Sequence, residues 1–199
     1  MYDFDAGDLS LDFANTQNWH ASKKPFEYLK SYADLVTWGE QAGLLSPEYS
    51  AQLRRVASKH PKDATDELEF VIQIREALFR VFTHRYAGES ISEGDLALLN
   101  SVISQALAHL KLTPAGDEIH WEWAPEMSGA NFILWPVARA AAELLTSDKA
   151  SKVRMCEDDR GCGYLFIDQT KNHSRRWCSM ESCGNRAKAR RHYSRLQSS

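Results

Sequence analysis

Apolar positions recur at helical spacing through most of the first 145 residues. From Phe26 to Leu45 they fall at Leu29, Tyr32, Leu35, Val36 and Trp38, which predicts a helix. Ser46-Pro47-Glu48 starts the next one, with a capping serine and a proline at the first helical position, and it should stop near His60-Pro61. Asp63 or Thr65 can cap a third helix that buries Phe70, Val71, Ile74, Leu78, Val81 and Phe82 and ends before Gly88. Ser92 with Asp95 resembles a capping box for a helix carrying Leu96, Leu99, Val102, Ile103, Ala106 and Leu110. From His109 to Trp123 the period changes to alternation around Pro114-Ala115-Gly116-Asp117, which predicts a β-hairpin. Asn131 to Leu145 returns to a helix, bent or started at Pro136.

The last fifty residues read differently. Tyr164 to Ile167 is a short strand, Asp168 to Ser174 a polar turn, and Arg175-Arg176-Trp177 the expected returning strand. A helix should open at Cys183 and run to about Leu196, with Ala189, Tyr193 and Leu196 on its apolar face. The fold class is therefore mainly α. A helical N-terminal domain with a small hairpin spans 1–147, and a treble-clef-like finger of short hairpin plus helix spans 151–199. The linker composition is confined to Thr146-Ser147-Asp148, so the two parts are expected to pack closely.

Composition narrows the function classes. Apolar residues are 43% and charged residues 26% of 199, ordinary for a globular chain and unlike a disordered one. No apolar run approaches the roughly 18 residues of a membrane span, so no membrane partner is expected. Met1 to Phe13 carries four aspartates and no Lys or Arg, opposite to a secretory leader, so the expected location is cytoplasmic. The charge is unevenly spread. Residues 151–199 hold eleven basic and five acidic groups, or +6, while the first 150 hold 13 and 22, or −9. A cationic segment on an acidic domain points to a polyanion, DNA above all, unless the segment docks on its own acidic domain.

All four cysteines lie in the cationic segment, at Cys156, Cys162, Cys178 and Cys183. The spacing is C-x5-C, fifteen residues, then C-x4-C. Two thiol pairs on tight turns can surround one tetrahedral ion, and clustered thiols in a reducing compartment are metal ligands more often than disulfides. Gly161 and Gly163 give the first turn its freedom. Two disulfides or an iron–sulfur cluster are the alternatives, and His173 or His192 could replace a cysteine. Four thiolates leave no vacant coordination position, so one structural Zn2+ per chain is expected rather than a catalytic one.

Here the residues carry a resemblance. Arg175-Arg176-Trp177-Cys178-Ser179-Met180, followed by Cys183-Gly184-Asn185-Arg186-Ala187-Lys188, resembles the CGNR-type zinc finger. In that family the finger ends proteins whose N-terminal part is the ABATE domain, described as a stress-induced transcription regulator. Leu11-Asp12-Phe13-Ala14-Asn15-Thr16 resembles the opening motif of that domain, and Trp135-Pro136-Val137-Ala138-Arg139 with Glu143-Leu144-Leu145 its closing helix. The resemblance implies zinc on the four cysteines and a regulatory, DNA-binding role.

The expected nucleic-acid residues are Arg175, Arg176, Asn185, Arg186, Lys188, Arg190, Arg191 and Arg195, with the final helix and the Arg175-Arg176 strand presented to DNA. Asp12, Asn15 and Arg139 are polar groups in apolar surroundings and candidates for a small-molecule ligand site; the plainer alternative is an internal salt bridge such as Arg139 with Asp12. Arg75 interrupts an apolar helix in the same way. Trp19, Trp38, Trp121, Trp123 and Trp135 read as core. A homodimer would gain affinity from two half-sites. The alternative function is a ligand-sensing or protein-interaction module with a purely structural finger. An enzyme is not expected: no phosphate loop, G-x-S-x-G or H-E-x-x-H occurs, and Asn172-His173 lacks a carboxylate cluster for a nuclease.

Overall fold

The computed structural model describes residues 2–124 and 128–197. A six-residue helix, α1 (Leu9–Ala14), lies at the centre, with Ser10 to Ala14 all buried. Asp8 caps it by accepting from the Ser10 N–H. Two short strands, β1 (Gln17–Asn18) and β2 (Phe26–Glu27), pair antiparallel. The helices α2 (Tyr32–Gln41), α3 (Pro47–Lys59), α4 (Pro61–Ala87) and α5 (Glu93–Ala108) follow. A hairpin of β3 (Leu110–Ala115) and β4 (Glu118–Trp123) leads to α6 (Asn131–Thr146). A 3-10 turn (Asp148–Lys152) joins this to β5 (Val153–Met155) and β6 (Leu165–Ile167). A π turn (Met180–Gly184) then opens α7 (Asn185–Gln197). The fold is mainly α with small hairpins and a C-terminal four-cysteine cluster.

α1 packs against α4 and α6, and α5 covers both. Leu11, Phe13, Trp38, Ile74, Leu78 and Ile133 are among the fully buried side chains between them. Val153, Leu165 and Ile167 belong to this same core. The inner face of β5–β6 therefore packs on the helical part, as the short linker suggested.

The expected caps are in place. Ser46 accepts from the Tyr49 N–H and Ser92 from the Asp95 N–H, while Gly88 ends α4 at φ +71. The hairpin turns through Gly116-Asp117 with Gly116 at φ +63.

Several boundaries differ from the sequence reading, each for a local reason. The helix expected from Phe26 begins only at Tyr32, because Phe26-Glu27 pairs with β1 and Ser31 caps α2. Neither Asp63 nor Thr65 caps α4, which starts at Pro61. Proline needs no N–H partner there and forces His60 out of the helical region (φ −127, ψ 64). Phe70 and Leu96 are exposed, off the buried stripes set by Val71 and Ile74 on α4 and by Leu99 and Val102 on α5. Leu110 leaves α5 to open β3. Trp121 is exposed and Trp19 and Trp123 only half-buried, whereas Trp38 and Trp135 are core. Arg175-Arg176-Trp177 is not the returning strand. β6 pairs with β5, which precedes the first cysteine, while the buried Asp168 carboxylate accepts from the Thr170 and Arg175 N–H groups and folds the intervening chain into a loop. Ala189, Tyr193 and Leu196 are exposed, because α7 packs chiefly on the π turn before it.

Candidate metal centre and nucleic-acid interface

The first thiol pair sits on the β5–β6 hairpin. Cys156 directly follows β5, and its N–H donates to the Tyr164 carbonyl at 2.9 Å. The chain reverses through Asp158–Gly161, closed by the Gly161 N–H on the Asp158 carbonyl at 2.9 Å. Gly161 has φ +88, and a Cβ there would stand 2.6 Å from the Ala21 carbonyl oxygen, so only glycine lets the knuckle lie against the front domain. Cys178 lies two residues before the π turn and Cys183 within it, where the Ser179 hydroxyl accepts from the Ser182 N–H. The Arg175 guanidinium donates to the Trp177 and Cys178 carbonyls and holds that segment from outside.

These turns bring all four sulfur atoms within 4.8 Å of one another. A tetrahedral ion with sulfur at about 2.3 Å sets the sulfurs about 3.8 Å apart. The Cys162–Cys178 and Cys178–Cys183 separations are 3.8 and 3.6 Å. A disulfide would bring a pair to about 2.05 Å, so the spacing fits one ion inside the cluster rather than two bridges. Charge agrees with this. Hydrogen bonds from Cys162 and Cys178 draw the Cys156 thiol far down, and the contact with Cys156 drives Cys162 and Cys178 up in turn, while burial raises Cys183. Left to themselves the four sulfurs thus favour a single thiolate on Cys156, and holding all four as thiolates at this spacing would need a cation between them to offset their repulsion. Cys156, Cys162, Cys178 and Cys183 would hold a zinc ion, which supplies the folding energy of a small closed finger and no open position for chemistry. His173 instead lies at φ +46 with Nδ1 against the Asp168 carbonyl, and His192 packs edge-on to Tyr193.

The basic residues divide into two sets. Arg186 Nη2 stands 2.8 Å from Cys183 Sγ, and its Nε donates to Asp158 at 3.2 Å. Arg190 donates to the same carboxylate at 3.2 Å and also pairs with Asp159. Arg160 pairs with Asp158 at 3.5 Å. Trp19, itself at φ +56, lies beneath Arg160 and Arg186. Burial pushes the Asp158 carboxyl up, but the Arg160 N–H and the Arg186 side chain outweigh it and leave the group at about 2. Arg175 stacks on Phe166, and Arg176 pairs with Glu157 at 2.6 Å. Asn185 Nδ2 donates to the Glu181 carbonyl, and a Cβ on Gly184 would press on the Met180 sulfur at 2.9 Å. The residues Cys183-Gly184-Asn185-Arg186 thus build and brace the cluster. On the other face of α7, Lys188, Arg191 and Arg195 recur at i, i+3 and i+7 and are exposed.

The ligand candidates separate. Asp12 and Asn15 line one small polar recess of about 30 Å³ with Tyr2, Tyr28 and Tyr164; Arg139 is elsewhere. Arg139 pairs with Glu143 at 2.7 Å and covers Trp121, so the suggested Arg139–Asp12 bridge does not form. Asp12 accepts from the Ala6 N–H, and Asn15 makes a two-bond clamp on the finger, accepting from the Leu165 N–H at 2.9 Å and donating to its carbonyl at 2.8 Å. Arg75 is a structural ion pair, bidentate on Glu27 at 2.6 and 2.7 Å. Asp158 and Asp168 escaped the sequence reading; the Asp168-Gln169-Thr170 turn signature was the available signal for the latter.

Residues 7–148 match the ABATE family, described as "Putative stress-induced transcription regulator", and residues 152–196 match the CGNR zinc finger. No curated protein matches the chain. No helix among the described residues is long and apolar enough to cross a membrane. With the first match covering most of its length and the four sulfurs gathered as that finger requires, the chain belongs to the ABATE family and ends in a CGNR zinc finger.

Proposed function

We propose that this protein is a DNA-binding transcription regulator in which α7 meets DNA through its outward face and the helical front domain carries a sensing or dimerisation role. The division of the basic residues on α7 is the observation that supports it. Arg186 and Arg190 turn toward Asp158 and brace the metal cluster, while Lys188, Arg191 and Arg195 form an exposed cationic stripe on the opposite side. In this reading Arg186 and Arg190 are positioning residues, and the exposed stripe meets phosphate together with Arg176, which would exchange its Glu157 partner for a phosphate. Four such contacts predict log affinity falling with log salt at a slope of about −3.6.

The competing reading makes the finger a structural clasp. The Asn15–Leu165 clamp is what favours it, since the finger is fastened to the front domain. That fastening runs through the hairpin, however, and leaves the Lys188–Arg195 stripe outward. Titration of the zinc-loaded full chain with duplex DNA at several salt concentrations separates the two. Binding at about 50 mM salt, reduced by the combined Lys188→Glu and Arg191→Glu substitutions, supports the regulator. Absence of binding under those conditions rejects it in favour of the clasp.

A further inference from the structure

α2, α3 and the start of α4 line a half-open cavity of about 340 Å³ on the front domain. Its walls are apolar and aromatic, formed by Leu53, Val56, Tyr32 and Tyr49, with Glu67 from α4 and Ser128-Gly129 at one side. This volume sits at the small end of ligand pockets, roughly 300–1,000 Å³. It does not include Asp12, Asn15 or Arg139.

The charged groups on this cavity are one-sided. Glu67 Oε1 accepts from the Ala130 N–H at 2.6 Å, at the head of α6, which has no side-chain cap of its own. Gly129, at φ +54, permits this approach: a Cβ there would stand 2.3 Å from the same oxygen. The carboxylate is thus fixed in position, yet no basic side chain forms an ion pair with it among the described residues. His60 and Asp63 pair loosely at 3.9 Å and are both exposed at the rim. Burial, then the Glu67 charge, raises the Tyr32 hydroxyl well above its ordinary range, and burial raises Tyr49, so both stay neutral. The Tyr49 ring is held in turn against Phe132, centroids 4.1 Å apart.

A small apolar cavity with two tyrosine rings and a carboxylate that is hydrogen-bonded but makes no ion pair among the described residues is complementary to an organic cation. Aromatic rings attract a cationic head, the carboxylate neutralises it, and Leu53 and Val56 receive an apolar tail. The acidic front domain disfavours an anion in the same place. We propose that this cavity is a binding site for a small amphipathic ligand carrying one amine or quaternary ammonium group. As a sensory input the site rests on the regulatory reading above. As a binding site it is tested without DNA, so the two readings can fail separately.

The test is calorimetric or NMR titration of the zinc-loaded full chain with benzyltrimethylammonium, with benzyl alcohol as the neutral probe and phenylacetate as the anionic one. The expected result is saturable binding of the cation with Kd on the order of 1 mM or tighter, and at least about tenfold weaker binding of the anion. Val56→Trp, which fills the cavity, should abolish binding while the helical circular dichroism is retained. Glu67→Gln should remove most of the preference for the cation over the neutral probe. Glu67 also caps α6, so Asp63→Asn at the exposed rim serves as the charge test if that variant does not fold, and it should weaken the cation a few-fold. Failure of the cation to saturate by about 10 mM, equal affinity for cation and anion, or unchanged binding in Val56→Trp each overturns the proposal.

Discussion

Asp158 is the residue on which the finger's electrostatics converge, and Asp158→Asn perturbs it with little change in shape. The carboxylate is fully buried and receives the Arg160 N–H at 3.1 Å and the Arg186 and Arg190 guanidinium groups at 3.2 Å each. Removing one partner of a buried pair costs about 3–5 kcal/mol, but these arginines are one third to one half exposed, which reduces the figure. The proton affinity offers a second route. The group falls from 3.8 to about 2 in the folded chain, and at about 1.36 kcal/mol per unit that is about 2 kcal/mol of stability. The folded value is the lower one, so this stabilisation is present above the unfolded value and lost as pH falls through the folded value. At neutral pH it is fully present. Because a small finger folds with its metal, the loss should appear as zinc affinity about 30-fold weaker. Competition with a chromophoric chelator at pH 7 measures it. Asp159→Asn is the control, since Asp159 is exposed and touches only Arg190 among the same partners. An Asp158→Asn affinity within about threefold of the parent, or an equal loss in Asp159→Asn, refutes the reasoning.

Two further perturbations address the joint between the two parts. Asn15→Ala leaves the buried Leu165 N–H and carbonyl without partners and should cost about 2–4 kcal/mol in urea unfolding; a loss under about 0.5 kcal/mol would mean that water replaces the clamp. Asp12 is raised from 3.8 to about 6, first by burial and then by Asp8, Asp5 and Asp3, against the Ala6 N–H that lowers it. Its folded value is the higher one, so its contribution is fully favourable below the unfolded value and is lost as pH rises through about 6. Asp12→Asn should therefore gain stability, by up to about 3 kcal/mol, at pH 8, and the gain should shrink by about pH 5.5; a gain independent of pH would place the effect elsewhere.

The helix starts at Ser46 and Ser92, the stop at Gly88 and the Gly116 turn were legible because each depends on near neighbours in the chain. The four-cysteine cluster was legible for the same reason: two pairs of close thiols on Gly-rich or capped turns can meet in few other ways. Phe70 and Leu96 were misjudged because periodicity says that a stripe exists, not how wide its covered band is. The β-strand partner was misjudged because Arg175–Trp177 and Val153–Met155 compete for one edge, and the Asp168 carboxylate decides between them.

Hydrophobic period, composition and spacing therefore determined a helical acidic front, a cationic finger and the four cysteines that cluster in it, all properties set by local geometry and by counting charge. Tertiary structure decided which cations are engaged with acidic groups and which face outward. It did so because pairing depends on which carboxylate folding carries to which guanidinium. Asp158 reaches Arg190 across 32 positions, and Asn15 reaches Leu165 across 150. No pattern of neighbouring residues encodes those distances.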